Sequence, residues 1–166
     1  MIESMQSAIK SGINCKANII IGFPGESHRE VFQTMRFVAR CAFIGLHDLS
    51  ISPFSPYPGS ELFQDMQRSG QVKELSDEYY YSLATYTDLR TTLSMSERIS
   101  DKALGRYRIL GMLLFYVVQY LVRPLRVLTT IRNVMSVTQE SRLEMSLRDL
   151  YIRLFGKPAR EGTKAP

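Results

Sequence analysis

The stretch NIIIGFPGES, Asn18 to Ser27, decides how the first half of this 166-residue chain is interpreted. Its three consecutive isoleucines form an uninterrupted apolar run, which is typical of a strand covered on both faces. The segment GFPG at positions 22–25 then predicts a sharp turn. Ser27 and Glu30 have the spacing of a capping box, so a helix is predicted to begin directly after this turn.

The segments on either side extend this strand and helix into a larger unit. Apolar residues at helical spacing predict a first helix over residues 2–11, which Gly12 ends. The helix after Ser27 is predicted to stop at Gly45, and the alternation at Leu49 and Ile51 predicts a second strand. A strand, a crossover helix and a second strand form a right-handed βαβ unit with parallel pairing. A sheet of only two parallel strands is marginally stable, so we expect this unit to be the edge of a larger sheet.

Beyond the second strand the sequence pattern predicts helices only. Their predicted starts are Ser60, Ser76, Ser96, Leu125 and Ser141. Pro124 is predicted to stop or kink the long helix that precedes it. We therefore expect an α/β fold: a partial parallel (β/α) barrel fragment over residues 1–73, a mostly helical C-terminal extension over 74–156, and a disordered tail over 157–166.

Charges and cysteines limit the function classes and the compartment. Residues 1–97 hold 8 Lys+Arg against 11 Asp+Glu, whereas residues 98–166 hold 13 against 5. This asymmetry indicates a basic segment that meets a membrane surface, a nucleic acid or an acidic partner. Nucleic acid is disfavoured, because the chain has no recognition motif and no Lys/Arg run. The two cysteines, Cys15 and Cys41, match no metal-binding spacing and no disulfide framework, which favours a reducing cytoplasm; no signal peptide is expected.

The corner at residues 22–27 has two interpretations from the residues alone. A phosphate-binding loop would need the pattern GxxxxGK[ST] or GxGxxG, and the segment from Gly22 to Gly25 has neither. The plainer interpretation is a strand that ends in a Pro-Gly turn before a capped helix.

Two segments in order nevertheless resemble a known family. GINCKANIIIGFPGESHREVFQTMRFV, followed by DLSISPFSPYPGSELF, is similar to the C-terminal half of a radical S-adenosylmethionine (SAM) enzyme barrel, in the branch that often carries a cobalamin-binding domain upstream. In that family one strand ends in a G-F/L-P-G-E-[ST] corner and the next in a P-Y-P-G-[ST]-x-L corner. The resemblance covers roughly residues 5–70, and LLFYVVQYLVRPLRVL more weakly resembles the C-terminal helices of the same branch.

This resemblance implies a cofactor wall at the carboxyl ends of the two strands, where ligands bind in parallel sheets. The implied cofactor-binding residues are Ile20, Ile21, Gly22, Pro24, Gly25, Glu26, Pro56, Tyr57, Pro58 and Gly59. For the parent enzyme it implies SAM and a [4Fe–4S] cluster, with cobalamin as a further candidate. The cluster-binding CxxxCxxC loop of the family is missing here, and neither cysteine replaces it.

The remaining titratable residues have competing interpretations. Glu26 and Asp48 are candidate catalytic carboxylates, but a first-turn acid and a strand-entry residue are the plainer alternatives. His28 and His47 are isolated in sequence, which is typical of surface histidines rather than ligands. Tyr79 is expected to pack while its two tyrosine neighbours are partly exposed. The sequence assigns no catalytic residue and no metal ligand.

A basic and apolar helix near the C-terminus leaves two interpretations open. Its helically spaced apolar residues are Leu110, Leu113, Leu114, Val117 and Leu121, and its flanking arginines are Arg106, Arg108, Arg123 and Arg126. It predicts either a buried helix packed on the open side of the barrel or an interfacial helix on anionic lipid. The uncharged run of residues 109–122 is too short to span a bilayer comfortably.

The sequence thus leads to two functional hypotheses. In the first, the chain contributes the far wall of the SAM site and part of an organic substrate's cavity to a radical SAM enzyme, without being catalytic alone. Its partner is then the missing N-terminal half or another chain. In the second, it is a non-catalytic interaction module that pairs with a partner's sheet, or with a membrane surface through its basic helix. Either hypothesis fits a cytoplasmic protein, with or without membrane association.

Overall fold

The computed structural model describes residues 1–72, 77–83, 92–136 and 141–156. Over these residues the chain is a mixed α/β protein, mostly helical, with one sheet of two parallel strands. In chain order the elements are α1 (Ile2–Lys10), β1 (Lys16–Ile21), α2 (His28–Ile44), β2 (Asp48–Pro53), α3 (Glu61–Arg68), α4 (Asp77–Leu83), α5 (Asp101–Val122), α6 (Leu125–Met135) and α7 (Arg142–Phe155).

The two strands confirm the predicted βαβ unit. They pair in parallel, from Lys16 opposite Asp48 to Ile21 opposite Pro53. The Phe54 N–H donates to the Ile21 carbonyl at 2.7 Å. Backbone groups alternate in direction along a strand, so the even-numbered residues of β2 bond toward β1 and the odd-numbered ones point to its outer edge. Side chains alternate as well, with odd-numbered residues on one face of the sheet and even-numbered residues on the other.

Helix α2 begins and ends where the sequence predicts. Ser27 and Glu30 form the capping box, and the Ser27 N–H donates to Glu30 Oε2 at 2.8 Å. Hydrogen bonds from Ser27 lower the pKa of the Glu30 carboxyl. At the other end Gly45 has a φ of 98°, a left-handed conformation that glycine adopts without steric cost.

The core lies between the odd-numbered face of the sheet and helices α2 and α5. Its buried members are Ile21, Val31, Val38, Cys41, Ala42, Leu46, Leu49, Ile51, Ile99, Leu104 and Phe115. These residues come from both the βαβ unit and the helices after residue 98. One hydrophobic core therefore joins the two parts of the chain.

Helix α5 also covers the outer edge of β2. The Ile51 carbonyl points to that edge, and it accepts a hydrogen bond from Arg108 Nε at 3.4 Å. Further along α5, Gln119 Nε2 donates to the Leu46 carbonyl at 2.6 Å. A Cβ at Gly111 would overlap Ile51 Cδ1, so glycine allows the helix to approach β2 closely. Side chains of a helix thus take up backbone groups that another strand would otherwise pair.

The predicted start of α5 at Ser96 is wrong by five residues. Ser96 is buried, and its hydroxyl donates to the Glu26 carbonyl at 2.7 Å instead of capping a helix. The N-cap is Ser100, whose hydroxyl accepts from the Ala103 N–H. The predicted break at Pro124 is confirmed, because α5 ends at Val122 and α6 leaves at an angle of 119°.

The leucine face of α5, which the apolar spacing predicts as one candidate for burial, is exposed. Leu110, Leu113 and Leu121 are 55%, 57% and 78% exposed. The buried stripe lies on the other side and consists of Leu104, Arg108, Gly111, Phe115 and Gln119. Burial of the leucine face, one of the two interpretations left open, is therefore wrong: α5 carries apolar residues on all sides, so helical spacing alone did not identify the buried side.

A smaller cluster forms where α3 and α4 meet the second corner. Ser60 caps α3, as predicted. The buried members of the cluster are Phe63, Met66, Val72 and Tyr79. Tyr79 is 9% exposed and Tyr80 is 51% exposed, which confirms the expectation for this pair. The side chain of Tyr81, the predicted helix start at Ser76 and the predicted tail at 157–166 lie outside the described residues.

Candidate functional site

A groove of about 600 Å³ lies over the even-numbered face of the sheet, which is exposed along β1 but buried at Asp48 and Ser50 of β2. Its lining residues are Lys16, Asn18, Ile20, Phe23, Ser50, Ser52, Pro53, Phe54, Ser55, Tyr57, Ser60 and Leu62. Both strands contribute through the pleat, since positions 16, 18 and 20 lie opposite 48, 50 and 52. The groove extends along the sheet from Lys16 to the carboxyl ends of the strands, where both predicted corners lie.

The expectation that β1 is covered on both faces is wrong for the described residues. Ile20 is 51% exposed on the groove face, whereas Ile21 is fully buried on the core face. Asn18, also on the groove face, is exposed. A continuous apolar run of three residues is too short to separate two-sided burial from a strand with one open face.

The structure brings the two corners together. The Phe54 N–H bonds to the Ile21 carbonyl, and the rings of Phe23 and Phe54 lie with centroids 4.6 Å apart. Tyr57, 54% exposed, lines the same end of the groove. Aromatic and aliphatic surfaces therefore cluster where each strand ends.

The first corner is stabilised from within the chain. The carboxylate of Glu26 accepts hydrogen bonds from the N–H groups of Gly22 and Phe23. Gly22 has a φ of +86°, and a Cβ there would lie 2.6 Å from Leu104 Cδ2. Gly22 and Glu26 thus have structural roles that involve no ligand: the glycine accommodates α5 and the carboxylate holds the turn.

The other predicted residues of the first corner lie around this turn. Pro24 is half-buried and Gly25 is exposed. Gly25 has a φ of +76° and open space around the position of a Cβ. Of the six residues predicted here, Ile20 lines the groove and Ile21 belongs to the core.

The second corner is anchored on α4. Pro56 is buried, and its carbonyl accepts a hydrogen bond from the Tyr79 hydroxyl. Burial raises the pKa of that hydroxyl. Pro58 and Gly59 are exposed, and Gly59 has a φ of +90°. Of the four residues predicted at this corner, Tyr57 lines the groove.

Most of the groove's polar lining was missed by sequence reasoning. Ser50 Oγ donates to Asn18 Oδ1 at 2.6 Å on the groove floor, and Ser52 lies opposite Ile20 in the register. The signal that could have found them is the period of two within each strand, since positions 50 and 52 alternate with the buried Leu49 and Ile51. That alternation in β2 marks the groove face.

Asp48 lies at the opposite end of β2 from the corners. Its carboxylate forms a 3.1 Å ion pair with Lys16 and accepts a 2.7 Å hydrogen bond from the Tyr116 hydroxyl. Burial, and then the Asp48 charge, raise the pKa of Tyr116 well above its ordinary value. Asp48 is 3% exposed. These contacts favour the structural interpretation of Asp48 over the catalytic one.

The chain supplies too few thiols for a cluster. Cys15 is half-buried before β1, and Cys41 is fully buried in α2, where burial raises the pKa of its thiol. Within the described ranges, no group of three or more His, Cys, Asp or Glu side chains could hold a metal ion. The chemical inventory of the groove is thus hydroxyl, amide and ammonium groups beside aromatic and aliphatic side chains.

No family model matches the chain, no curated protein matches it, and no solved structure matches it.

Proposed function

We propose that the βαβ unit forms one wall of the SAM site of a radical SAM enzyme, and that the groove is part of its substrate cavity. The supporting observation is the one-sided covering of the sheet. Helices cover the odd-numbered face, whereas the even-numbered face opens along β1 and at the carboxyl ends of both strands into a groove that reaches both glycine corners; on β2, Asp48 and Ser50 of this face are buried. One sector of a partial parallel (β/α) barrel has this arrangement, with its ligand at the carboxyl ends of the strands.

The groove's chemistry suits an adenosyl group. Ile20, Phe23 and Tyr57 supply apolar and aromatic surface at the corner end, where a flat base can pack. Hydroxyl groups of Ser52 and Ser55 line the same groove and can bond to ribose oxygens. We assign the wall to Ile20 and Tyr57 among the residues implied by the resemblance, and to Phe23 and Phe54 in addition.

The cluster does not fit this chain. Three cysteine thiolates are needed, and the sequence has two cysteines, one of them in the hydrophobic core. In the family such a cluster, held by three cysteines, would supply the electron for radical chemistry of SAM on an organic substrate. The ligands for a cluster must therefore come from outside these residues. Methylation with cobalamin and oxidative ring closure are the reaction outcomes that the resemblance suggests.

A SAM titration followed by methyl NMR tests the proposed wall. In the full chain with labelled isoleucine methyls, we expect millimolar SAM to shift the Ile20 signal. The signals of Ile19 and Ile21 should stay, because their side chains point to the other face of the same strand. Affinity should be weak, since this chain presents one wall of the site.

Two substitutions provide the matched control for this titration. Tyr57→Ala should reduce the Ile20 shift, whereas Phe43→Ala should not, because Phe43 is 65% exposed on α2 and lies outside the groove lining. An Ile20 signal that does not move at millimolar SAM would contradict the proposal. Submicromolar binding by the chain alone would contradict the part of it that requires a second component.

The interaction-module alternative rests on the outer edge of β1. In the part of the chain that the structure describes, the sheet has two strands, and the even-numbered residues of β1 direct their backbone groups away from β2. A partner's strand could pair there without any cofactor chemistry. The DNA preceding Met1 separates the hypotheses: a reading frame with a strand followed by CxxxCxxC supports the enzyme, and unrelated non-coding sequence supports the module.

A further inference from the structure

Helices α5 and α6 expose an apolar stripe on each side of their bend. On α5 the stripe follows helical spacing, and on α6 it recurs every three or four residues. Its members are Ile109, Leu110, Leu113, Val117, Leu121, Val122, Leu125, Leu128, Ile131 and Met135. Leu121 and Leu125, on either side of the bend, are 78% and 76% exposed. So much exposed apolar surface indicates a binding face.

The arginines at the bend hold this face in place. Arg123 Nη1 donates to the Phe43 carbonyl at 3.0 Å, and Arg126 Nη1 donates to the Leu46 carbonyl at 2.9 Å. Both carbonyls lie just around the C-terminal end of α2. Gly45 makes room for the Arg123 guanidinium, since a Cβ there would lie 2.6 Å from Arg123 Cζ. These two arginines therefore anchor the α5–α6 bend to the core, contrary to their expected place at lipid headgroups.

The charges around the apolar stripe are mostly positive. Residues 101–136 contain six Lys+Arg and one acid, Asp101. Arg108 is buried, but Lys102, Arg106 and Arg132 are exposed. Arg106 lies one helical turn before Leu110 on the same side of α5. The exposed apolar face is thus bordered by cations.

We propose that this face of α5 and α6 binds the surface of an anionic lipid bilayer. Exposed apolar side chains bordered by Lys and Arg are the arrangement that interfacial helices use at anionic headgroups. A second copy of the chain is a poorer occupant, because a symmetric contact would bring the two basic borders together. This inference is independent of the proposed SAM wall, which lies on the even-numbered face of the sheet.

The length of the helices bears on the same question. Within the described residues, no single helix has both the length and the apolar composition to cross a membrane. Helices α5 and α6 reach the required length and apolar composition only when taken together, and the two helices are bent by 119° relative to each other.

Vesicle co-sedimentation of the full chain tests this proposal. We expect binding to vesicles that contain phosphatidylglycerol and weaker binding to pure phosphatidylcholine. Leu113→Glu or Leu128→Glu should each lower the partition coefficient by about tenfold or more, because each removes a side chain that enters the interface. Ile13→Glu is the matched control, since Ile13 is 56% exposed before β1 and should leave binding unchanged.

Charge substitutions examine the lipid preference separately. At low salt, Lys102→Gln and Arg106→Gln should each weaken binding to phosphatidylglycerol vesicles by about fivefold. Binding to phosphatidylcholine should not change. Circular dichroism would show that each variant keeps its helices, as expected for exposed positions.

Three outcomes would overturn the proposal. The first is a folded chain that binds neither kind of vesicle. The second is binding that Leu113→Glu and Ile13→Glu affect equally. In the third, the chain self-associates, Leu113→Glu makes it monomeric, and vesicle binding is absent, which would assign the face to a second copy.

Discussion

Arg108 Nε lies 3.4 Å from the carbonyl oxygen of Ile51, in hydrogen-bond contact with the outer edge of β2. The same guanidinium donates through Nη1 to Thr92 Oγ1 at 2.7 Å. Arg108 is 1% exposed, so these bonds are made inside the core. A cationic side chain thus takes the position of the backbone N–H that a neighbouring strand would supply.

Arg108→Ala should strongly destabilise the fold. It leaves the buried Ile51 carbonyl without this donor and opens a cavity, so we expect the free energy of unfolding to fall by about 3 kcal/mol or more. Arg106→Ala, one turn away at an exposed position, should change it by no more than about 0.5 kcal/mol. Urea denaturation of both variants measures the difference. Equal effects would show that the guanidinium does not support the β2 edge.

Gly22→Ala should cost more than Gly25→Ala. Both glycines have positive φ, +86° and +76°, so both substitutions share a backbone strain of about 1–2 kcal/mol. Only at Gly22 would the new Cβ meet Leu104. We expect this overlap to add about 1–3 kcal/mol of destabilisation.

A double mutant identifies the cause of that difference. If the Leu104 contact is responsible, Leu104→Ala should cost less in the Gly22→Ala background than in the wild-type chain. Thermal unfolding of the four proteins completes the cycle. Additive effects would trace the whole cost of Gly22→Ala to backbone strain.

The stability of the fold should decrease below pH 7 because of His47. Burial, followed by the charges of Arg126 and Arg123, lowers the pKa of His47 below its ordinary value of 6.5. The unfolded chain then binds the proton more readily than the folded one, so this stability is present above about pH 6.5 and is lost as pH falls toward the folded-state pKa. His47 Nδ1 also accepts from the Cys15 N–H at 3.2 Å, a bond that protonation of this nitrogen would break.

His47→Asn should therefore flatten the pH dependence of unfolding between neutral pH and pH 5. His28→Asn is the matched control, because it leaves His47 in place and should retain the wild-type slope. Chemical denaturation across this range provides the measurement. Parallel curves for the wild-type chain and His47→Asn would refute the assignment.

The two cysteines should differ in their reaction with a thiol reagent. Cys41 is fully buried and its pKa is raised by burial, whereas Cys15 is half-buried. Reactivity requires the thiolate and access, so Cys41 should react only on unfolding. Absorbance kinetics with Ellman's reagent measure the reaction of the remaining thiol in each folded variant. Cys41 in Cys15→Ser should react slowly, and Cys15 in Cys41→Ser should react fast. A fast reaction in Cys15→Ser would mean that α2 opens.

Several helix ends and one helix break could be predicted from the sequence. Ser27 with Glu30, Gly45 and Pro124 act through nearest neighbours, so their effects are visible without the fold. Burial could not be predicted in the same way, because it depends on what lies opposite. The isoleucines of β1 were expected to be covered on both faces, yet one face is exposed; for the leucines of α5 the sequence left burial and exposure open, and the structure exposes them.

The candidate site shows the same division. The corners could be located from their glycines and prolines, and the structure brings them together at one end of the groove. Which corner residues face the groove depends on strand parity and on contacts with α5, since Leu104 lies against Gly22. The serines of β2 carry no distinctive motif, so their alternation with Leu49 and Ile51 was the only sequence signal for them.

The position of α5 beside β2 determines at which edge further strands can extend the sheet. Arg108 occupies the outer edge of β2 at the Ile51 carbonyl, whereas no strand among the described residues pairs with the outer edge of β1. We therefore expect a larger sheet built on this unit to extend beyond β1. Strands added beside β1 could widen the sheet and change its curvature, while the contacts between α5 and β2 stay the same.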